Sequence, residues 1–151
     1  MRGVTLRLAL APDAQAIADM SRRDIEHGLG WSWDAPRVLR AIGDRATNVV
    51  VGVAGGSLVG FGIMQYADET AHLSLLAVAP VARHQGLGTR LVGWLEAVAR
   101  TAGIERLRVE ARADNANALA FYRAQGFTEL ARVHGYYSGR IDAVRLEKKI
   151  L

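Results

Sequence analysis

RHQGLGTRL, residues 83–91, sets Gly86 and Gly88 behind an arginine and ahead of Leu91, Leu95, Val98 and Ala102, which recur at helical spacing. A glycine within a helix costs roughly 0.5–1 kcal/mol relative to alanine, so two at a helix's mouth need a reason other than helicity. The preceding residues, ETAHLSLLAV (69–78), read as a strand stopped by Pro80, and Gly103 ends the helix. Strand, basic glycine loop and helix opening together make a phosphate cradle. The first amides of a helix have no internal partners, and the macrodipole places about half a positive charge there. Gly86 and Gly88 let the backbone turn and approach a diphosphate without a Cβ in the way, while Arg83 and His84 add side-chain charge.

Outward from that loop the chain has no internal repeat, low-complexity tract or linker. TLRLAL (5–10) alternates as a strand, and Pro12 and Asp13 start a helix to about His27. GLGWSWDAP breaks it, and Asp34 with Pro36 opens a second helix to about Arg45. NVVVGVA, a Gly55-Gly56 turn and SLVGFGIMQY form a hairpin. ERLRVEA (105–111) alternates, with Leu107, Val109 and Ala111 on one side and Arg106, Arg108 and Glu110 on the other. A helix from Asn115 to Gln125 is closed by Gly126, and FTELARVH and DAVRLEKKI finish as strands around a GYYSGR turn. The order β-α-α-β-β-β-α-β-α-β-β predicts an α+β fold whose central β-α-β is a right-handed parallel unit.

Length and composition fit one domain over residues 1–151 with a core of its own: half the residues are hydrophobic (50%) and 23% are charged. There is no cysteine, so disulfides, thiolate metal sites and a cysteine nucleophile are excluded. No apolar run approaches the roughly 20 residues that span a bilayer. The opening MRGVTLRLALAPDAQA is broken by Arg7 and followed by Asp13, so a signal peptide is rejected and a cytoplasmic location expected. A net charge of +4 and pI near 10.0 come from scattered arginines, which favours small anions such as nucleotides over direct nucleic-acid binding. His27, His72, His84 and His134 stand isolated in the sequence, with no metal-binding spacing, so no metal is expected. Ser57 in GGSLV lacks the glycine at 59 of a nucleophile elbow and reads as a turn residue.

Two nucleotide motifs fail at the glycine loop. A dinucleotide fingerprint needs glycine where Leu91 stands and should follow its strand at once; a P-loop needs a Gly-Lys-Ser/Thr ending. The pattern R-x-x-G-x-G, preceded by LAVAP and followed by an amphipathic helix, resembles instead the signature of the GNAT superfamily of acyl-CoA-dependent N-acyltransferases. VEARADNANALAFYRAQGF (109–127) is similar to that family's second signature, and the order of elements matches over nearly the whole chain.

The resemblance implies a single domain with a mixed six- to seven-stranded sheet, about four helices, and a parallel unit splayed at a bulge to form a cofactor cleft. The co-substrate would be acetyl-CoA. Leu76, Ala77 and Val78 would lend main-chain groups to its pantetheine arm, with the Val78 amide as oxyanion donor. Arg83, His84, Gln85, Gly86, Leu87, Gly88 and Thr89 would hold the diphosphate, and Asn115 and Asn117 the arm. Asn115 also reads as a helix N-cap. Tyr122 would act on the departing thiolate; aromatic packing beside Phe121 is its structural alternative. With a phenol near pKa 10 and a thiol near 8.5, full proton transfer is uphill by about 2 kcal/mol, so a growing hydrogen bond suffices.

Glu110, twelve residues before Tyr122, matches the base-to-acid spacing of the branch that acetylates protein N-terminal amines, notably on ribosomal proteins. It would take the ammonium proton directly or through water; the alternative is a solvated charge paired with Arg108 or Arg112. Because an unshifted glutamate near 4.3 is a poor base, the role requires burial or a relay. Trp31, Trp33, Tyr136 and Tyr137 would line the acceptor pocket, although aromatic packing over an apolar seam is also expected of them. An α-amine near pKa 8 is about a tenth neutral at pH 7 and suits a modest base better than a lysine near 10.4. The expected partners are thus a protein N-terminus or an amine-bearing small molecule, with no membrane and with a homodimer left open. A non-catalytic acyl-CoA-binding regulator is the alternative function, and an RNA-associated basic module a third.

Overall fold

The computed structural model describes residues 3–26, 32–137 and 139–151. Its seven strands are β1 (Val4–Leu8), β2 (Thr47–Ala54), β3 (Ser57–Tyr66), β4 (Thr70–Val78), β5 (Arg106–Arg112), β6 (Thr128–Tyr137) and β7 (Ile141–Lys149). They form one sheet in the order β1-β2-β3-β4-β5-β7-β6, in which only β4 and β5 run parallel. The helices are α1 (Ala14–Asp24), α2 (Ala35–Gly43), α3 (Leu87–Thr101) and α4 (Ala116–Ala124). Strand number, helix count and the parallel unit all agree with the expected fold.

The alternation in β4 and β5 settles which side chains reach the core. Ala71, Leu73, Leu75 and Ala77 are buried, as are Leu107, Val109 and Ala111, while the intervening residues point to the opposite face. Leu87, Leu91 and Leu95 of α3 are buried, and they approach β3 closely enough that a Cβ at Gly62 would meet Leu95 Cδ1 at 2.9 Å. Hydrophobic burial of this kind contributes about 25 cal/mol per Å², which is why the amphipathic stripe fixes the helix on the sheet.

Of the boundaries that differ from the sequence reading, three have a clear local cause or bear on the site. The first helix opens with a 3₁₀ turn over 11–13 and ends at Asp24; His27 lies outside the described residues. The second stops at Gly43 rather than Arg45, because the Asp44 carboxylate accepts from Ala46 N at 2.9 Å and Thr47 Oγ1 at 3.1 Å and so turns the chain into β2. β6 continues past His134 to Tyr137, placing Tyr136 and Tyr137 on a strand instead of in the turn. A register irregularity between Val133 and Tyr137 makes this extension, with Asp142 Oδ1 accepting from Gly135 N at 3.0 Å.

Candidate active site

The parallel ladder runs from Thr70 opposite Arg106 to Leu73 opposite Val109 and stops there. In the pairing with β3, Met64 faces Leu73 but Ile63 faces Leu75, so Ser74 is an extra residue at the point of separation. A bulge of this kind bends its strand and ends pairing. Beyond it, Ala79 N donates to Val59 O at 2.8 Å, which makes Gly60 and Val78 a non-hydrogen-bonded pair in the antiparallel alternation. The same alternation turns the main-chain groups of Leu76 and Val78 away from β3 and toward the gap. Those of Ala77 face β3, so of the three expected contributors Ala77 lends no main-chain group to the cleft.

The glycine loop closes one end of this gap. Gly86 is the N-cap of α3 with φ +82°, a left-handed conformation that favours glycine, and a Cβ built there would touch nothing within 4 Å. It stands over open space, as a cradle requires. Gly88 serves another purpose: a Cβ there would lie 3.2 Å from the Phe121 ring, so its absence lets α3 approach α4. His84 also takes a positive φ of 61°. Arg83 is not simply displayed, since its Nε donates to Val78 O at 3.0 Å and its Nη2 lies 3.9 Å from Asp24 Oδ1. Thr89 Oγ1 accepts from Gln125 Nε2 at 3.0 Å, Gln85 Nε2 donates to Val81 O at 3.2 Å, and Leu87 is buried in the core. A cleft of about 710 Å³ runs from this loop along Leu76–Val78 to α4. It is lined by every expected cofactor-binding residue except Gln85.

α4 supplies the far wall. Asn115 caps it, Oδ1 accepting from Ala118 N at 3.0 Å, and still faces the cleft; exposed Asn117 faces it too. Tyr122 packs edge-on against Phe121 and Phe127 at centroid distances of 5.3 and 5.6 Å. Burial, reinforced by Tyr137, pushes its phenol well above the ordinary tyrosine range, which favours hydrogen-bond donation over ionisation.

A second cleft, of about 720 Å³, opens on the other side of the splay. Trp33, Glu110, Tyr136 and Tyr137 line it; Trp31 lies outside the described residues. Trp33 is also part of the core, and the Arg37 guanidinium stacks 3.9 Å above its ring. Glu110 pairs with neither Arg108 nor Arg112. Those arginines bond Glu147 at 2.8 Å and Asp114 at 3.1 Å. Residues two apart along a strand are farther from each other than cross-strand neighbours, and Glu110 lies opposite Arg145 of β7, whose Nε donates to Oε1 at 2.9 Å. The other oxygen, Oε2, is held by His72 Nε2. Burial pushes the Glu110 carboxyl up, but His72 and Arg145 together outweigh it and hold the group below the usual carboxylate range.

The two clefts share Asp24, Leu76, Asn115, Ala118 and Tyr122, so they meet at one junction. Asp24, Glu26 and His72 escaped the sequence reading as site residues. Glu26 is buried and accepts from Ser32 N at 2.8 Å, Ser32 Oγ at 2.6 Å, Trp33 N at 3.2 Å and Ser21 Oγ at 3.1 Å, fixing the approach to α2. Asp24 Oδ2 is buried without a hydrogen-bond partner. Nothing in the local pattern marked these carboxylates, because the hydroxyls and amides around Glu26 come from a non-periodic loop and Arg83, which faces Asp24 beside the adjacent Arg23, lies far along the chain.

The acetyltransferase (GNAT) family model matches residues 12–127. The chain belongs to the GNAT acetyltransferase family. It is 37% identical over 92 residues to the [Ribosomal protein bS18]-alanine N-acetyltransferase of Escherichia coli K12, a match covering 59% of this chain and 62% of that protein. The solved structure of the E. coli ribosomal-protein-S18-alanine N-acetyltransferase superposes with TM-score 0.83 at 28% identity, covering 97% of this chain and 94% of that one. Ard1 from Thermoplasma volcanium superposes with TM-score 0.89 at 24% identity over 99% of both chains. YncA from Salmonella typhimurium, solved with its cofactor acetyl-CoA, gives 0.83 at 22% identity over 99% of this chain and 95% of that one. Among the described residues no helix is long and apolar enough to cross a membrane.

Proposed function

We propose that this GNAT chain moves an acetyl group from acetyl-CoA to a primary amine by direct attack, with the N-terminal α-amine of a polypeptide as the favoured acceptor class. The observation that carries this reading is the junction of the two clefts at Leu76, Asn115 and Tyr122. Two reactants held from opposite sides gain the proximity that makes a covalent enzyme intermediate unnecessary. The chain, having no cysteine, offers no thiol for one.

The cradle fits a diphosphate-bearing arm: Gly86 keeps a left-handed turn free of a Cβ at the opening of α3, and Leu76 and Val78 turn main-chain groups into the gap. A bound thioester supplies an activated acyl carbonyl. The Val78 amide would donate to the oxygen as charge grows on it, a kind of contact whose loss costs about 10²–10³ in rate. Tyr122 would donate a hydrogen bond to the departing sulfur. The attacking nitrogen forms its bond to the acyl carbon as the carbon–sulfur bond breaks, and its proton goes to a base on the acceptor side.

The acceptor class is supported by the E. coli relative and by amine chemistry, since an α-amine near pKa 8 is already about a tenth neutral at pH 7. Intact-mass screening of peptide and small-amine pools with acetyl-CoA tests it. A gain of one acetyl at peptide N-termini is expected; acetylation of small amines alone would reassign the acceptor, and cofactor binding without turnover of any amine would overturn the enzymatic reading.

A further inference from the structure

The cleft proposed for the acceptor is lined by two arginines, Arg37 and Arg112. Arg112 is paired with Asp114, its Nε donating to Oδ1 at 3.1 Å. Arg37 differs: among the described residues no carboxylate lies within 4 Å of it. Its guanidinium carbon sits 3.9 Å from the Trp33 ring centroid, and Nη1 makes a long contact of 3.4 Å to Ser32 O. Stacking engages the flat face of a guanidinium, while its N–H donors lie in the plane and leave from the edge.

The side chain is held in place from below. Asp34 Oδ1 accepts from Arg37 N at 3.0 Å, which fixes the backbone at the start of α2. Trp33 is buried, and its N donates at 3.2 Å to Oε2 of the equally buried Glu26. Glu26 thus sets Trp33, and Trp33 carries the arginine. A cation ordered in advance loses less freedom when a ligand arrives.

Placement along the clefts gives the charges an order. Asp24 lines both clefts and so stands at their junction; its side chain is 9% exposed, and Oδ2 has no hydrogen-bond partner among the described residues. Arg37 lines the acceptor-side cleft and not the other. An anionic atom at the reacting end and a guanidinium edge beyond it match a molecule whose ammonium is followed by an anion. Asp24, Glu26 and Glu110 line the same cleft, which disfavours a dianion such as a phosphate and suits a singly charged carboxylate.

We propose that Arg37 selects acceptors that carry a carboxylate a few bonds from the amine, either an acidic side chain at the start of a polypeptide or the α-carboxylate of a free amino acid. The inference rests on the N-acetyl-transfer reading and deepens it. A guanidinium fork donates two parallel N–H bonds to a carboxylate, and such charge-assisted bonds are about twice as strong as neutral ones. The isosteric amide offers one acceptor oxygen and no charge. Binding energy gained away from the reacting carbon appears chiefly in the acceptor KM.

Matched acceptors test this: peptides with Asp or Asn, and Glu or Gln, at the first or second residue, and alanine beside alaninamide. Affinity for the coenzyme A-loaded protein is read by calorimetry, and kcat/KM with acetyl-CoA. The acid is expected to exceed its amide about 10–100-fold in at least one pair. A preference within the peptide pairs alone assigns the carboxylate to a side chain; one within the alanine pair alone assigns it to the α-carboxylate. Arg37→Met, which keeps an unbranched stem over Trp33, should bring the acid-to-amide ratio within about threefold of one. Arg37→Glu should favour a Lys-bearing peptide over its Asp counterpart. An arginine with a merely structural role would weaken all acceptors alike and leave the ratio unchanged. Should Arg37→Met not fold, Arg37→Lys, which keeps the charge but loses the fork, should cut the ratio at least about threefold. Wild-type ratios within about threefold of one in every pair, or a ratio unchanged by these variants, would overturn the proposal. If the wild-type chain binds acids over amides but acetylates no amine, the transfer reading fails and the carboxylate site stands; acetylation without acid preference removes the site alone.

Discussion

Gly86 and Tyr122 are single residues to which the proposed reaction assigns separable tasks. At φ +82°, a β-branched side chain at 86 meets no neighbour but adopts a conformation that costs about 1–2 kcal/mol and stands in the cradle. Gly86→Val is therefore expected to fold with a melting temperature lower by about 2–8 °C. It should weaken acetyl-CoA binding at least about tenfold by calorimetry, and unchanged affinity would refute the cradle. Tyr122→Phe keeps the edge-on contacts with Phe121 and Phe127 and removes only the hydroxyl. Its kcat should fall by about 10²-fold with cofactor affinity within about threefold; equal turnover would remove the phenol from the reaction. At this scale the sequence was partly legible. Gly86 was readable because a loop glycine at a helix mouth has few other uses, whereas Gly88 in the same loop turned out to face Phe121, a residue 33 positions later.

Elements place these residues through their ends more than their middles. α2 begins at Asp34, whose Oδ1 accepts from Arg37 N at 3.0 Å, and Arg37 then stacks on Trp33 at the cleft proposed for the acceptor. Asp34→Ala is expected to cost about 1 kcal/mol, seen as a melting temperature lower by about 2–4 °C. It should raise the acceptor KM while leaving coenzyme A binding unchanged; equal weakening of both ligands would show that α2 supports the whole site. Helix and strand identities were legible from periodicity, which records burial on one face. Their ends were less so, because Asp44 and the β6 irregularity depend on hydrogen bonds that a repeat pattern does not encode.

For the whole molecule, several carboxylates are held below their ordinary range. A hydrogen bond from Arg7 does this for Asp13, one from Arg112 for Asp114 and the Gly135 amide for Asp142; Glu110 is lowered by His72 and Arg145 against the upward pull of burial. A lowered folded-state pKa adds stability that is present above the unfolded value, near 4 for Asp and Glu, and disappears as pH falls through the folded value. Thermal unfolding should therefore show stability declining below about pH 4. Asp13→Asn, which loses the paired contacts to Arg7 at 2.7 and 3.1 Å, should melt below wild type at pH 7 and converge with it in acid. A gap that persisted at pH 2 would mean that the residue acts through packing instead.

The order of elements, the parallel unit at the centre and the glycine-lined helix opening followed from sequence, because periodicity and turn chemistry are local. So did the chemical kinds of residue around the cleft. Which carboxylate meets which cation did not. Glu110 lies 38 residues from His72 and 35 from Arg145, and only the parallel register of β4 with β5 and the antiparallel register of β5 with β7 bring the three together. The meeting of the two clefts at Tyr122 has the same origin: strand separation at the Ser74 bulge is a property of paired backbones, which no one segment contains.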